Sequence, residues 1–167
     1  HVHGLMHLDI AVEQSSLTLQ LEAPLDSLLG FERRPRTAAE RQAADALLTR
    51  MNAGAAALFK PSAAAGCALT QARVESAALQ ATAPTSPATG SEHADLDASY
   101  EFRCAHPDQL NALEIGLFDA FPRLQKIEVQ VTGAKLQSKQ TLQRPNKQVR
   151  GAALVAAKVA GHGRGAS

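Results

Sequence analysis

The sequence predicts an α+β fold, a mostly antiparallel β-sheet with one main α-helix packed on it. Three observations lead there. Several short runs alternate apolar and polar residues with the two-residue period of a half-buried strand. Turn-forming residues separate those runs at close intervals. One stretch, beginning at Thr37, carries both a helix start signal and an apolar stripe at helical spacing. At 167 residues the chain is long enough for one domain with a real core and short for two. Hydrophobic residues make up 45%, yet aromatics only 4%, so the core has to be built mainly from Leu, Ile, Val and five Phe.

The first strand runs from Leu5 to Val12. Its even positions, Val2, Met6, Leu8, Ile10 and Val12, are apolar. Its odd positions, His1, His3, His7 and Asp9, are polar or ionisable. Strand geometry sends the first set to the core and the second to solvent. A polar turn at Glu13-Gln14-Ser15-Ser16 leads into Leu17, Leu19 and Leu21, alternating with Thr18, Gln20 and Glu22, and the two runs read as a hairpin that Pro24 ends. Residues 25–33 read as a short turn or loop. Thr37 is an N-cap and Glu40 completes a capping box for the helix. Ala43, Ala46, Leu47 and Met51 form its apolar stripe, best explained as a face packed on the sheet, and Asn52 and Gly54 stop it. Ala55 to Phe59 makes one further turn before Pro61.

Two later runs, Ala68 to Leu79 and Leu96 to Cys104, read as strands. Residues 81–94 between them are rich in Ala, Thr, Ser, Pro and Gly and read as a flexible loop. Pro107 and Asp108 mark a turn before a strand over Leu113 to Phe118, although Leu110, Leu113, Leu117 and Phe121 satisfy helical spacing as well. Ile127, Val129 and Val131 make another strand, and Ala134 to Leu142 the last. This gives a domain over 1–145 and an Ala/Gly-rich basic tail over 146–167, which holds a lone histidine, His162.

The two cysteines fit one disulfide or two unrelated buried thiols. Cys67 opens one strand-like run and Cys104 closes the other. Paired as an antiparallel hairpin, those runs bring the cysteines within bridging range, Cα atoms about 4.4–6.8 Å apart. A bridge implies an oxidising compartment. The chain opens on His rather than Met, which fits a processed, exported protein whose leader lies outside this sequence. With 17 basic and 16 acidic residues and a net charge of +1, no nucleic-acid footprint is visible. No apolar run is long enough to span a membrane.

Function points to metal. Three of the six histidines fall in the first seven residues, on the polar face of the first strand. Residues two apart on a strand lie about 6.6 Å apart, so His1 and His3 can share one ion, whereas His3 and His7 stand about 13 Å apart and cannot. His106, two residues after Cys104, projects on the face of the bridge and is more often a surface histidine than a ligand. A free N-terminal His1-Val2-His3 would instead suit Cu(II) or Ni(II) in a square-planar nitrogen set. An enzyme is disfavoured: Glu32 is a nominal general base, but no HExxH or nucleophile motif accompanies it. A protein-interaction module without metal is the third class. Oligomeric state is open, a dimer included.

The pattern His1-x-His3-Gly4, Leu8-Asp9-Ile10-Ala11, Leu21-Glu22-Ala23-Pro24 and Gly30-Phe31-Glu32-Arg33 resembles the N-terminal half of the ZrgA-like periplasmic zinc-binding proteins. Ala63-Ala64-Ala65-Gly66-Cys67, His93-Ala94-Asp95, Tyr100-x-Phe102-x-Cys104 and Leu117-Phe118-x-x-Phe121-Pro122 continue the resemblance to about residue 143. It implies an exported, non-enzymatic protein of zinc homeostasis, found with zinc-uptake transporters, and a mostly antiparallel sheet with a packed helix. It adds His93 to the ligand set, giving a Zn(II) site of His1, His3 and His93, with His7, Asp95 and His106 as weaker candidates. The chain departs from the resemblance twice. Its 81–94 loop holds one histidine where such proteins carry a His-rich run, and Arg33 stands where they commonly have His. A guanidinium does not ligate zinc.

Overall fold

The computed structural model describes residues 4–31, 33–80, 95–133 and 137–150. Among the described residues, nine strands form two sheets. The larger is six-stranded, in the order β4-β5-β2-β1-β7-β8, with β1 Leu5–Glu13, β2 Ser16–Pro24, β4 Cys67–Glu75, β5 Asp95–Cys104, β7 Lys126–Thr132 and β8 Gln137–Gln143. The smaller has the order β3-β6-β9, with β3 Phe59–Pro61, β6 Ala112–Ile115 and β9 Gln148–Arg150. Every pairing is antiparallel except that of β1 with β7, which is parallel. The fold is thus α+β with the sheet predominating.

The hairpin β1–β2 turns on Gln14 and Ser15, where Gln14 takes a positive φ of 56°. The strand phase is as the alternation predicts. Met6, Leu8, Ile10, Leu17, Leu19 and Leu21 are buried, while His7, Asp9, Ala11 and Glu13 face solvent. Val2, expected on the inner face, lies outside the described residues. After β2 the chain makes a helical turn, α1 (Leu25–Leu28), rather than an open loop. Its fully buried Ser27 hydroxyl donates to the Leu5 carbonyl at 3.0 Å, tying the turn to the start of β1.

The main helix, α2 (Ala38–Asn52), carries the expected capping box. The Thr37 side chain accepts from the Glu40 N–H, and the Glu40 carboxylate accepts from the Thr37 N–H. Its buried face is Ala44, Leu47 and Met51, so the stripe is rotated from the expected Ala43 and Ala46, which are exposed. With alanine at 38, 39, 43, 44 and 46, small residues occur on every face, and only the large Leu47 and Met51 set the orientation. A second helical turn, α3 (Ala55–Leu58), passes into β3. The layers meet at Tyr100. Its ring lies 4.9 Å from that of Phe59, and its buried hydroxyl donates to the Met51 carbonyl at 2.6 Å. Burial raises the Tyr100 phenol well above its ordinary pKa.

Three expected boundaries differ. The strand expected over Ala68 to Leu79 stops at Glu75, and Ala77–Gln80 forms a helical turn, α4, as suits its Ala-Ala-Leu-Gln composition. The strand expected to reach Phe118 stops at Ile115. Gly116 then leads into α5 (Leu117–Ala120), so the helical spacing of Leu117 and Phe121 decides that half of the ambiguous stretch. The strand over 137–143 is not the last, because β9 follows Pro145 and pairs with β6.

The six-stranded sheet has two edges. On β4 the register slips between Leu69 and Gln71, a bulge that breaks the ladder. On β8 the sequence Gln-Ser-Lys-Gln-Thr-Leu-Gln is almost wholly polar. No described helix is long and apolar enough to cross a membrane.

Candidate metal centre

His1, His3 and His93 lie outside the described residues, but the chain that follows each of them is placed from Gly4 and from Asp95. Gly4 and Leu5 open β1, and Asp95 opens β5. Asp95 pairs with Pro24, two residues beyond Glu22 on β2, and Glu22 pairs with His7, two residues beyond Leu5 on β1. The leads to all three histidines therefore leave from the same end of the sheet. They are separated by the width of β2, two strand spacings or about 10 Å.

Two glycine turns meet at this end. Gly4 has φ 76° and Gly30 φ 92°, conformations that side chains rarely adopt. A Cβ on Gly4 would stand 3.1 Å from the Arg123 carbonyl, and one on Gly30 would collide with the Arg123 guanidinium. The Gly4 carbonyl accepts from the N–H groups of Gln125 and Lys126 at 2.8 and 2.9 Å. Gly4 and Gly30, 26 residues apart in the chain, are thus brought onto one arginine. Sequence reasoning missed Arg123; the two glycines were its only signal.

Arg33 is committed elsewhere. Its guanidinium grips Glu40 through two bonds, 2.8 and 2.6 Å, and lies over the Phe31 ring at 5.2 Å. The Arg33 hydrogen bond, aided by the Arg36 N–H, holds the Glu40 carboxyl well below its ordinary value, at about 2. Where zinc would need a neutral donor, this chain places a cation locked to the cap of its own main helix.

The polar face of the large sheet carries a feature invisible in the linear sequence. Register aligns Glu75 with Asp97, Asp97 with Glu22, Glu22 with His7, and His7 with Glu128. All five are exposed. Four carboxylates and one imidazole therefore form a single row across five strands, at the end where the histidine segments emerge. His7 Nδ1 is 3.4 Å from Glu128 Oε1. With Asp9, Gln130, Lys139 and Thr141 they line a shallow hollow of about 400 Å³. A larger groove of about 850 Å³ runs between the end of α2 and Gly116–Ala120. It is lined mainly by alanine and glycine, with Asp45 and Asp119 and no His or Cys.

Partial burial, then the neighbouring Glu22, Asp95 and Glu75, raise the Asp97 carboxyl above its ordinary pKa. A raised carboxyl binds its proton more tightly in the folded state. Its ionised form therefore opposes folding, and stability falls as pH rises from about 3.8 through the folded value. Asp97→Asn should accordingly stabilise the metal-free domain by about 0.5 kcal/mol at pH 7, less in high salt. Thermal melts at pH 7 and pH 3.5 test this; a gain of the same size at both would sink the charge argument.

The remaining predicted positions divide. Cys67 and Cys104 are bridged, as direct cross-strand partners with Cα atoms 3.8 Å apart, closer than most bridged pairs. His106 follows the far end of β5. The strand Asp95–Cys104 is about 30 Å long, so His106 cannot join a site built around His93. Asp95 stands at the same end of the sheet as Gly4 and Leu5, half-buried. Among the described residues, no three His, Cys, Asp or Glu side chains are grouped to hold an ion.

No curated protein matches the chain. The family model for the ZrgA family zinc uptake protein matches residues 1–151, a span that takes in both sheets and ends just past β9. With a match over 151 of its 167 residues, the chain belongs to the ZrgA family of zinc uptake proteins.

Proposed function

We propose that this protein binds zinc as cargo in the periplasm and hands it on in uptake or homeostasis, without catalysing a reaction. The ion is held by His1 and His3, with His93 completing the set and Asp95 or water at a remaining position. The observation that carries the reading is the common origin of these segments. Gly4, Leu5 and Asp95 stand at one end of one sheet, beside the row Glu75, Asp97, Glu22, His7 and Glu128. Neutral imidazoles supply borderline-soft donors that suit zinc. The carboxylate row supplies a negative field that raises the local concentration of cations. The Cys67–Cys104 bridge and the zinc uptake family together support export. The family also supports a zinc-uptake transporter as the partner served.

Calorimetric titration of the full chain with Zn(II) tests the site. His3→Ala should weaken binding about tenfold or more, and binding should fall as pH drops through about 6.5, where histidine protonates. His7→Ala should change it little. Unaltered zinc affinity in His3→Ala would remove the N-terminal centre. A square-planar Cu(II) spectrum with no zinc heat would assign the same segment to copper instead.

A further inference from the structure

We propose that the groove between the end of α2 and α5 is the docking site of this chain's own residues 152–160, the apolar segment that follows β9. The sequence of that segment poses a physical problem. Eight of its nine residues are Ala, Leu or Val, and Lys158 is the exception. It is bounded by Gly151 and by Gly161-His162-Gly163-Arg164. An apolar run of this kind gains by leaving water. Nine residues are too few to hold a helix alone, so order has to come from a surface. The family match ends at residue 151, so the segment lies outside the span that the family shares.

The groove supplies the surface. Its volume of about 850 Å³ is within the range of sites that enclose a ligand, about 300–1,000 Å³. Ala46, Ala53 and Ala57 line it and are exposed. With Gly54 and Gly116 they form a wall with no side chain longer than a methyl group, against which an alanine-rich backbone can come close. Reach agrees. Arg150 ends β9 opposite Ala112, and Gly116 lies four residues further along, just past β6. That is about 13 Å along the strand direction, and the groove lies across β6 toward α3, about two strand spacings or 10 Å over. Five extended residues cover the resulting distance of about 16 Å, so Val155 and the residues after it can lie in the groove. Charge agrees as well. Residues 151–167 carry Lys158 and Arg164 and no acidic side chain. Of the carboxylates that line the groove, Asp119 is paired with Lys147 at 2.9 Å, while Asp45 is exposed and has no ion pair among the described residues. Asp45 is the partner for Lys158, on the same helix as Arg50, the one cation of the lining. A second copy fits less well. Eleven residues line the groove, against about 20–30 a side in a stable interface between proteins.

The test is nuclear magnetic resonance on the full chain with labelled Ala, Leu and Val methyl groups. Cross-peaks should join the Val155 and Val159 methyls to those of Ala46, Ala53 or Ala57, and should survive about tenfold dilution, as contacts within one chain do. Ala46→Arg fills the groove with a long side chain at an exposed position and keeps a good helix former there, so the circular dichroism should not change. In that variant the cross-peaks should vanish, and the amides of residues 155–160 should exchange about tenfold faster or more than in the parent. Val155→Asp with Val159→Asp should have the same effect. Three results would overturn the proposal: parent amides 155–160 that exchange as fast as an unfolded chain, cross-peaks that persist in Ala46→Arg, or cross-peaks that appear only between labelled and unlabelled copies in a mixed sample, which would give the groove to a second chain. None of these readings involves zinc, so the outcome is independent of the N-terminal centre.

Discussion

Leu19→Ala is expected to destabilise the domain by about 2–5 kcal/mol. Leu19 is fully buried in β2, with Ile10 of β1 on one side and Tyr100 of β5 on the other. Tyr100 is itself fixed from the opposite layer by Phe59 and by the Met51 carbonyl. The void left by truncation therefore opens where the layers meet. The strands on both sides are held in register and cannot close over it, which puts the cost toward the upper part of the range. Urea unfolding should show a lower midpoint at unchanged slope. A loss below about 1 kcal/mol would mean that the site repacks freely and that the layered description of the core is wrong.

Arg144→Met should cost about 3 kcal/mol. Methionine keeps much of the side-chain bulk and removes every donor. The Arg144 guanidinium donates from Nε to the Leu124 carbonyl at 2.7 Å, and from one terminal nitrogen to the Phe118 and Phe121 carbonyls at 2.8 and 2.7 Å. It also lies over the Phe118 ring at 5.1 Å. These carbonyls belong to α5 and the bend that launches β7, so one planar side chain ties three points of an irregular backbone together. Arg144→Lys should recover only part of the loss, because an ammonium cannot match the flat fork. Full recovery with lysine, measured in the same unfolding experiment, would show that charge and not shape is what matters at this position.

The parts of the fold that were legible in the sequence are those set by neighbours in the chain. Met6, Leu8 and Ile10 revealed the phase of β1, and Thr37 with Glu40 revealed the start of α2, because period and cap are local signals. Cys67 and Cys104 were legible as a pair because the hairpin that joins them is formed by adjacent strands. Leu113 to Phe118 was ambiguous because Leu113 and Leu117 satisfy both periods, and only the docking of Gly116 onto the Leu58 carbonyl decides between them. The short β9 carries too few residues to show a pattern, and Arg144 gave no hint of its three carbonyls.

The candidate centre was legible in its residue types and not in its surroundings. The expectation of a metal rests on the composition, three histidines within the first seven residues. The row Glu75–Asp97–Glu22–His7–Glu128 depends on strand order, in particular on β2 lying between β1 and β5 and on β7 joining β1 in parallel. Nothing in the linear spacing of those residues encodes that order. Arg123 likewise becomes visible only when Gly4 and Gly30 are brought against it.

The parallel pairing of β1 with β7 also bears on when the protein can fold. β1 has β2 available almost at once, as the other half of its hairpin. Its second neighbour is not made until residues 126–132 are synthesised. Joining such distant segments carries a loop-closure cost that neighbouring hairpins do not face, and long-range strand pairing is slow for that reason. Until β7 arrives, Met6, Leu8 and Ile10 have an open flank where it will sit. For most of its synthesis the chain therefore has a free strand edge beside an apolar face, the form in which a polypeptide can still be threaded or held by a chaperone.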